Sequence, residues 1–223
     1  MAIAFKLNEG LYLRDPQDTE LGRKIIESGI TLIDRLGFEQ FTFKKLAEEI
    51  GSAEASLYRY FENKHRLLLY LTGWYWNWTE YRMEILTHPT QTAEEKLRWC
   101  LRVLTEEKKN DPAFGFVDEE ALYRIIVNEL DKTYLTKWVD VDNQHGLFAS
   151  YKSICKKMAA LIAEIDPDYH YPNSLVSTIM LTSVQQIFYS EHLPSLTNLK
   201  GDRYGQLYAF TEHLVFSALK RKN

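Results

Sequence analysis

Apolar residues along this chain recur at intervals of three and four, the period of helices that lay one face on a core. Leu21, Ile25, Leu32, Ile33 and Leu36 carry that spacing through a first helix. It is expected to open at Asp15-Pro16, read as N-cap and first helical residue, and to close at Gly37. A second helix is expected from Thr42, whose hydroxyl can cap free amides, with Phe41 and Leu46 at the staple positions and Gly51 as its stop. Ser52 is read as the cap of a short third helix over 53–61, and Asn63 as the cap of a long fourth over 64–86. Thr92 and Glu95 have the capping-box spacing for a helix reaching 109. Further helices are expected over 117–130, 133–140, 143–164, 173–192 and 203–220, interrupted at Pro112, Pro167, Pro172, Pro194 and Gly201. No hairpin signal, repeat or low-complexity tract is visible. The pattern predicts an all-α protein with an arm (1–14), a three-helix unit (15–66) and a larger helical bundle (67–223).

The second helix, the turn at Gly51 and the third helix have the close coupling of a helix-turn-helix, whose second helix enters the DNA major groove. Short helix pairs are common, so the residues must strengthen the reading. Phe41-Thr42-Phe43-Lys44-Lys45-Leu46-Ala47-Glu48-Glu49-Ile50-Gly51, followed by Ser56-Leu57-Tyr58-Arg59-Tyr60-Phe61-Glu62-Asn63-Lys64 and Leu67, resembles the TetR family of bacterial transcriptional repressors over residues 20–71. The resemblance implies a helix-turn-helix that binds operator DNA, followed by a bundle that binds a small molecule and forms a homodimer.

The residue types fit such contacts on their own chemistry. Thr42 opens a helix, where a hydroxyl and an amide can meet a phosphate. Ser52, Ala53, Glu54, Ala55 and Ser56 stand at the end of the recognition helix that would approach base edges. Glu54 can accept from cytosine N4, and an alanine methyl can meet that of thymine. Lys44, Lys45, Tyr58, Arg59, Tyr60 and Lys64 are candidates for phosphate oxygens. Acids balance the bases in this unit, so it needs those cations gathered on one face, and non-specific DNA affinity is expected to be modest. The arm, with Lys6 and Arg14 against Glu9, is expected to be loosely packed.

In the fourth helix Leu67, Leu71, Trp74, Trp78, Tyr81 and Ile85 follow one stripe, which reads first as core. Tyr75 and Trp76 lie off that stripe and need other partners. Trp78, Trp99, Tyr123, Phe148 and Tyr151 are candidates to line a pocket for an apolar or aromatic ligand. The last two helices are apolar on most sides, so a partner subunit is a natural cover. Val176, Met180, Val184, Phe188, Leu207 and Leu214 are the candidate dimer residues.

Composition narrows the alternatives. The 223 residues include 45% hydrophobic and 26% charged side chains, which excludes bulk disorder. A net charge of −4 excludes a basic coat over the whole surface, though not a local basic face. Cys100 and Cys155 make neither a disulfide framework nor a zinc cluster. No metal-spaced histidines, nucleophile elbow or phosphate loop is present, so no enzyme activity, metal or cofactor is expected. No apolar run has bilayer length and the N-terminus does not read as a signal peptide, so a cytoplasmic protein is expected. The leading expectation is a dimeric DNA-binding repressor released by a small, largely apolar effector. The alternative is a helical ligand-binding or interaction protein that retains a helix-turn-helix without operator affinity.

Overall fold

A computed structural model describes residues 4–219 and is all-helical among them. Its α-helices are α1 (Glu20–Leu36), α2 (Phe43–Glu49), α3 (Glu54–Leu57), α4 (Lys64–Leu86), α5 (Ala93–Thr105), α6 (Glu119–Glu129), α7 (Asp131–Tyr134), α8 (Val139–Gln144), α9 (Ala149–Ile165), α10 (Pro172–His192) and α11 (Arg203–Leu219). The chain divides into two compact units, one formed by residues 1–77 and 108–149, the other by 78–107 and 150–223. The helix-turn-helix segment lies wholly in the first.

In the first unit, the start of α1 differs from the sequence reading. Asp15 caps a 3₁₀ turn, Pro16–Asp18, by accepting from the Gln17 amide at 2.9 Å. The α-helix itself begins at Glu20 under Thr19, whose hydroxyl accepts from the Gly22 amide at 3.0 Å. A Cβ on Gly22 would stand 2.2 Å from the Pro16 carbonyl oxygen, so the side-chain-free position is what lets the two turns meet. Gly37 ends α1 at φ 75°, as expected of a left-handed stop.

Helix α6 packs on α1, and Arg124 grips Asp34 with two parallel bonds, Nε to Oδ1 at 3.0 Å and Nη2 to Oδ2 at 2.8 Å. Glu129 accepts from the buried Phe38 amide at 2.9 Å, while Lys132 links Glu129 and Glu39 at 2.7 and 3.0 Å. The connection between α1 and α2 is therefore braced by α6 and α7.

The described part of the N-terminal arm is packed, not loose. The Phe5 ring lies against Trp74 and Phe114 at 5.3 and 5.6 Å, and Leu7 and Leu11 are buried. The Asn8 amide donates to the carbonyls of His145 and Gly146, and the Leu13 amide donates to the Tyr60 carbonyl at 2.8 Å. Apolar anchors at Phe5, Leu7 and Leu11 outweigh the polar composition on which the expectation of a loose arm rested. Residues 1–3 lie outside the described residues.

Every residue of α4 from 67 to 76 is buried, so the single stripe widens to the whole circumference. Tyr75 stacks on Tyr123 at 6.0 Å, and Trp76 donates to the Tyr134 hydroxyl at 3.2 Å, which supplies the partners the off-stripe aromatics required. Ile85, expected on the stripe, is exposed. The expected helix over 143–164 is broken at Gly146, φ 73°, leaving α8 and α9 separate.

In the second unit, α11 packs on α5 and α10, and α10 packs on α5. The Thr92–Glu95 capping box forms, with both backbone amides satisfied, but α5 ends at Thr105 rather than 109. Lys157 bridges Glu80 and Glu84, and Arg98 bridges Glu94 and Glu212. Four of the six candidate dimer residues, Val176, Met180, Val184 and Leu207, are buried within the chain itself and so are unavailable to a partner. Phe188 and Leu214 are part-exposed, and the most open apolar side chains on α10 and α11 are Leu181 and Phe210. Position 220, expected at the end of the last helix, lies outside the described residues.

Both cysteines are free, and burial pushes the Cys100 thiol up to about 12. Among the described residues no helix is long and apolar enough to cross a membrane.

Glu119, beside the Asp118 cap of α6, is 1% exposed, and burial pushes its carboxyl from 4.5 up to about 7. Below pH 4.5 it is protonated in both folded and unfolded chains; between 4.5 and about 7 only the unfolded chain has lost the proton. Stability contributed here therefore falls as pH rises through that window and levels off above it. Glu119→Gln is expected to remove that slope and to stabilise the chain at pH 8 by roughly 1–3 kcal/mol in urea titrations.

Candidate nucleic-acid interface

The α2–α3 unit is held by local bonds that leave one face open. Thr42 caps α2 by accepting from the Lys45 amide at 3.2 Å. Phe41, Phe43, Leu46 and Ala47 turn inward, so Thr42, Lys44 and Lys45 stay outside. The turn is closed by the Gly51 amide on Glu48 and the Ser52 amide on Ala47, at 3.3 and 2.9 Å. Gly51 has φ 65° with nothing near its missing Cβ, so backbone conformation, not space, requires glycine there.

Regular α3 is one turn, with Ala53 at its N-cap in place of Ser52. Beyond Leu57 the chain tightens, with the Arg59 and Tyr60 amides bonding three residues back at 3.3 and 2.9 Å. Ala53, Glu54, Ala55, Tyr58 and Arg59 are exposed, and Ser52 and Ser56 partly so. Tyr58, 46% exposed, sets its ring edge-on to Phe43 at 5.1 Å and donates to Glu54 at 3.3 Å. Lys45 donates to the Gln40 carbonyl at 2.8 Å. Among the described residues Lys44 and Arg59 make no ion pair. One face therefore carries hydroxyls, small side chains and cations whose charge is unspent.

Two candidates hold other positions. Tyr60 is 3% exposed; its hydroxyl bonds Thr19 Oγ1 at 2.8 Å and its ring lies under the Arg14 guanidinium at 5.6 Å. It anchors the recognition helix to the start of α1. The Lys64 ammonium donates to the carbonyls of Phe38, Glu39 and Phe41 at 2.9, 3.2 and 3.1 Å, above the Phe38 ring. All three of its donors are committed to the α1–α2 connection. Sequence carries no signal for this clamp, because it joins residues 23 to 26 apart whose carbonyls are backbone groups.

The aromatic pocket candidates fall in different units. Tyr123 is buried against Tyr75, and Phe148 lies 5.4 Å from Tyr134, both in the first unit. Trp78 is buried beneath Arg82, Trp99 lies beneath Arg102, and burial pushes the Tyr151 hydroxyl up to about 12, all in the second. Among the described residues no group of three or more His, Cys, Asp and Glu side chains could hold a metal ion.

This helix-turn-helix is similar to that of a class of bacterial regulators. Residues 25–71 match the profile described as bacterial regulatory proteins, tetR family. The fold of the chain is that of TetR-family regulators. A bacterial regulatory protein in the tetR family from Rhodococcus RHA1 superimposes with TM-score 0.64 at 13% identity, covering 92% of this chain and 100% of that one. AibR, solved in complex with isovaleryl coenzyme A and operator DNA, gives 0.60 at 17%, covering 87% and 98%. The ketosteroid transcriptional regulator KstR2 of Mycobacterium tuberculosis gives 0.57 at 15%, covering 94% and 100%. No curated protein matches the chain by sequence.

Lys64→Met removes three hydrogen bonds at the base of the helix-turn-helix while keeping the stem. It is expected to cost about 1–3 kcal/mol of stability in thermal or urea unfolding. Lys44→Ala, on the open face, is expected to stay within about 0.5 kcal/mol.

Proposed function

We propose that this chain is a homodimeric, ligand-responsive transcriptional repressor that reads operator DNA with the face built by α2 and α3. The observation that carries the reading is the open face itself: Thr42, Lys44, Lys45, Tyr58 and Arg59 are exposed around Ala53, Glu54 and Ala55. Small side chains at the N-terminal end of α3 permit close approach to base edges, with Ser52 and Ser56 at their margin. Cations and hydroxyls around them suit phosphates. Tyr60 and Lys64 act on DNA indirectly, by fixing the helices that present these groups. A dimer would set two such faces one helical turn apart, about 34–36 Å.

A small, largely apolar effector would favour one conformer of the bundle and lower operator affinity through α4, whose residues contribute to both units. Of the candidate aromatic side chains, Trp78, Trp99 and Tyr151 of the second unit are the ones proposed to meet it. AibR, solved in complex with isovaleryl coenzyme A and operator DNA, and the ketosteroid transcriptional regulator KstR2 support an effector reading by similarity of fold.

The DNA reading is tested by gel shifts across a salt series. Lys44→Ala and Arg59→Ala should weaken all duplexes alike and each lower the log–log salt slope by roughly 0.9 per lost phosphate contact. Glu54→Gln should instead change preference at one base position per half-site by about 1–3 kcal/mol. Unchanged slopes and unchanged preferences together would remove this face as the DNA-binding surface.

The dimer reading is tested on α10 and α11. Leu181→Asp and Phe210→Asp, at open apolar positions, should yield a folded monomer in light scattering. A dimer that persists in both variants would place the interface elsewhere.

A further inference from the structure

Beside the last turn of the helix-turn-helix, in the first unit, a pocket of 360 Å³ opens between the start of α4 and α8. That volume is in the range of small-ligand sites. Its floor holds Asp142, which is 2% exposed. One carboxylate oxygen, Oδ1, takes the Arg66 Nη1 donor at 2.8 Å. The other, Oδ2, is buried and has no hydrogen-bond partner. His65 Nε2, itself buried without a partner, stands 3.8 Å from it, too far to bond. Burial holds the His65 imidazole below its ordinary value, so it is neutral at pH 7.

The charges in the pocket do not cancel. Arg66 is shared between two carboxylates, Asp142 at 2.8 Å and Glu62 at 3.7 Å, so one guanidinium faces two negative groups. The wall opposite holds Trp138, 57% exposed with the Lys137 ammonium 5.2 Å from its ring centroid, and Val141, also exposed. A buried carboxylate oxygen that lacks a donor, two carboxylates on one guanidinium, and the exposed Trp138 and Val141 side chains together define what would satisfy the site. An ammonium group supplies the missing donor to Oδ2 as a charge-assisted bond, and an apolar or aromatic body lies on Trp138 and Val141.

We propose that this pocket is a binding site for a small organic ammonium ion. The site is distinct from the proposed DNA face and from the aromatic residues proposed for the apolar effector, and its occupancy is read without DNA.

The test titrates the full chain calorimetrically with 2-phenylethylammonium chloride and, separately, with its neutral counterpart 2-phenylethanol. The ammonium ion is expected to bind saturably at one site per chain, and the alcohol at least tenfold more weakly. Asp142→Asn should weaken ammonium binding at least tenfold. Because Asp142 also holds Arg66, Trp138→Ala serves as the second variant; its indole is on the surface, and circular dichroism reads whether it is folded. It should weaken ammonium binding several-fold. Equal binding of the two probes, no saturable binding at millimolar ammonium, or undiminished binding by a folded Trp138→Ala chain would each overturn the proposal.

Discussion

Ten consecutive residues of α4, 67 to 76, have no solvent-facing side, and a helix buried around its whole circumference must be covered from every direction. The first unit is arranged to do this. Phe5 of the arm and Phe114 close on Trp74, Tyr12 and Phe61 close on Tyr70, Tyr123 of α6 lies on Tyr75, and the Tyr134 hydroxyl of α7 accepts a hydrogen bond from the Trp76 indole. The helix-turn-helix is thus one of several covers on a shared aromatic axis, and its orientation follows from how its own apolar side chains, Leu57 and Phe61 among them, are buried.

Polar contacts then fix what apolar burial leaves adjustable. Lys64 at the N-terminal end of α4 gathers three carbonyls of the α1–α2 connection, and Glu129 takes an amide from the same connection. Thr19 holds the Tyr60 hydroxyl. Each of these joins segments distant in sequence around short helices that could not hold their positions alone; α2 has seven residues and α3 four. The open face is a consequence: with Phe41, Phe43, Leu46, Leu57 and Phe61 turned inward, the intervening Thr42, Lys44, Lys45 and Arg59 have nowhere to go but solvent.

Much of this was legible in the residues. The caps at Thr42, Asn63 and Thr92, the stops at Gly37 and Gly51, and the motif from Phe41 to Leu67 are local signals, and the local structure follows them. What could not be read depends on partners remote in sequence. Periodicity marks Val176, Met180, Val184 and Leu207 as apolar but does not say whether α5 and a neighbouring helix or a second subunit covers them; here the chain covers its own. The same limit hid the packed arm, where three apolar anchors among polar residues find sites on α4 and beyond. Asp15-Pro16 misled for a related reason, since a cap followed by proline suits a 3₁₀ turn as well as an α-helix.

The central claim is that the α2–α3 face reads DNA sequence as one half of a symmetric pair. Selection of bound duplexes from a random pool by the full chain, followed by sequencing, addresses it directly. The account predicts enrichment of an inverted repeat whose half-site centres lie one helical turn apart, about 10 base pairs. A pool that stays random after repeated rounds, or that yields a single unrepeated half-site, would contradict it.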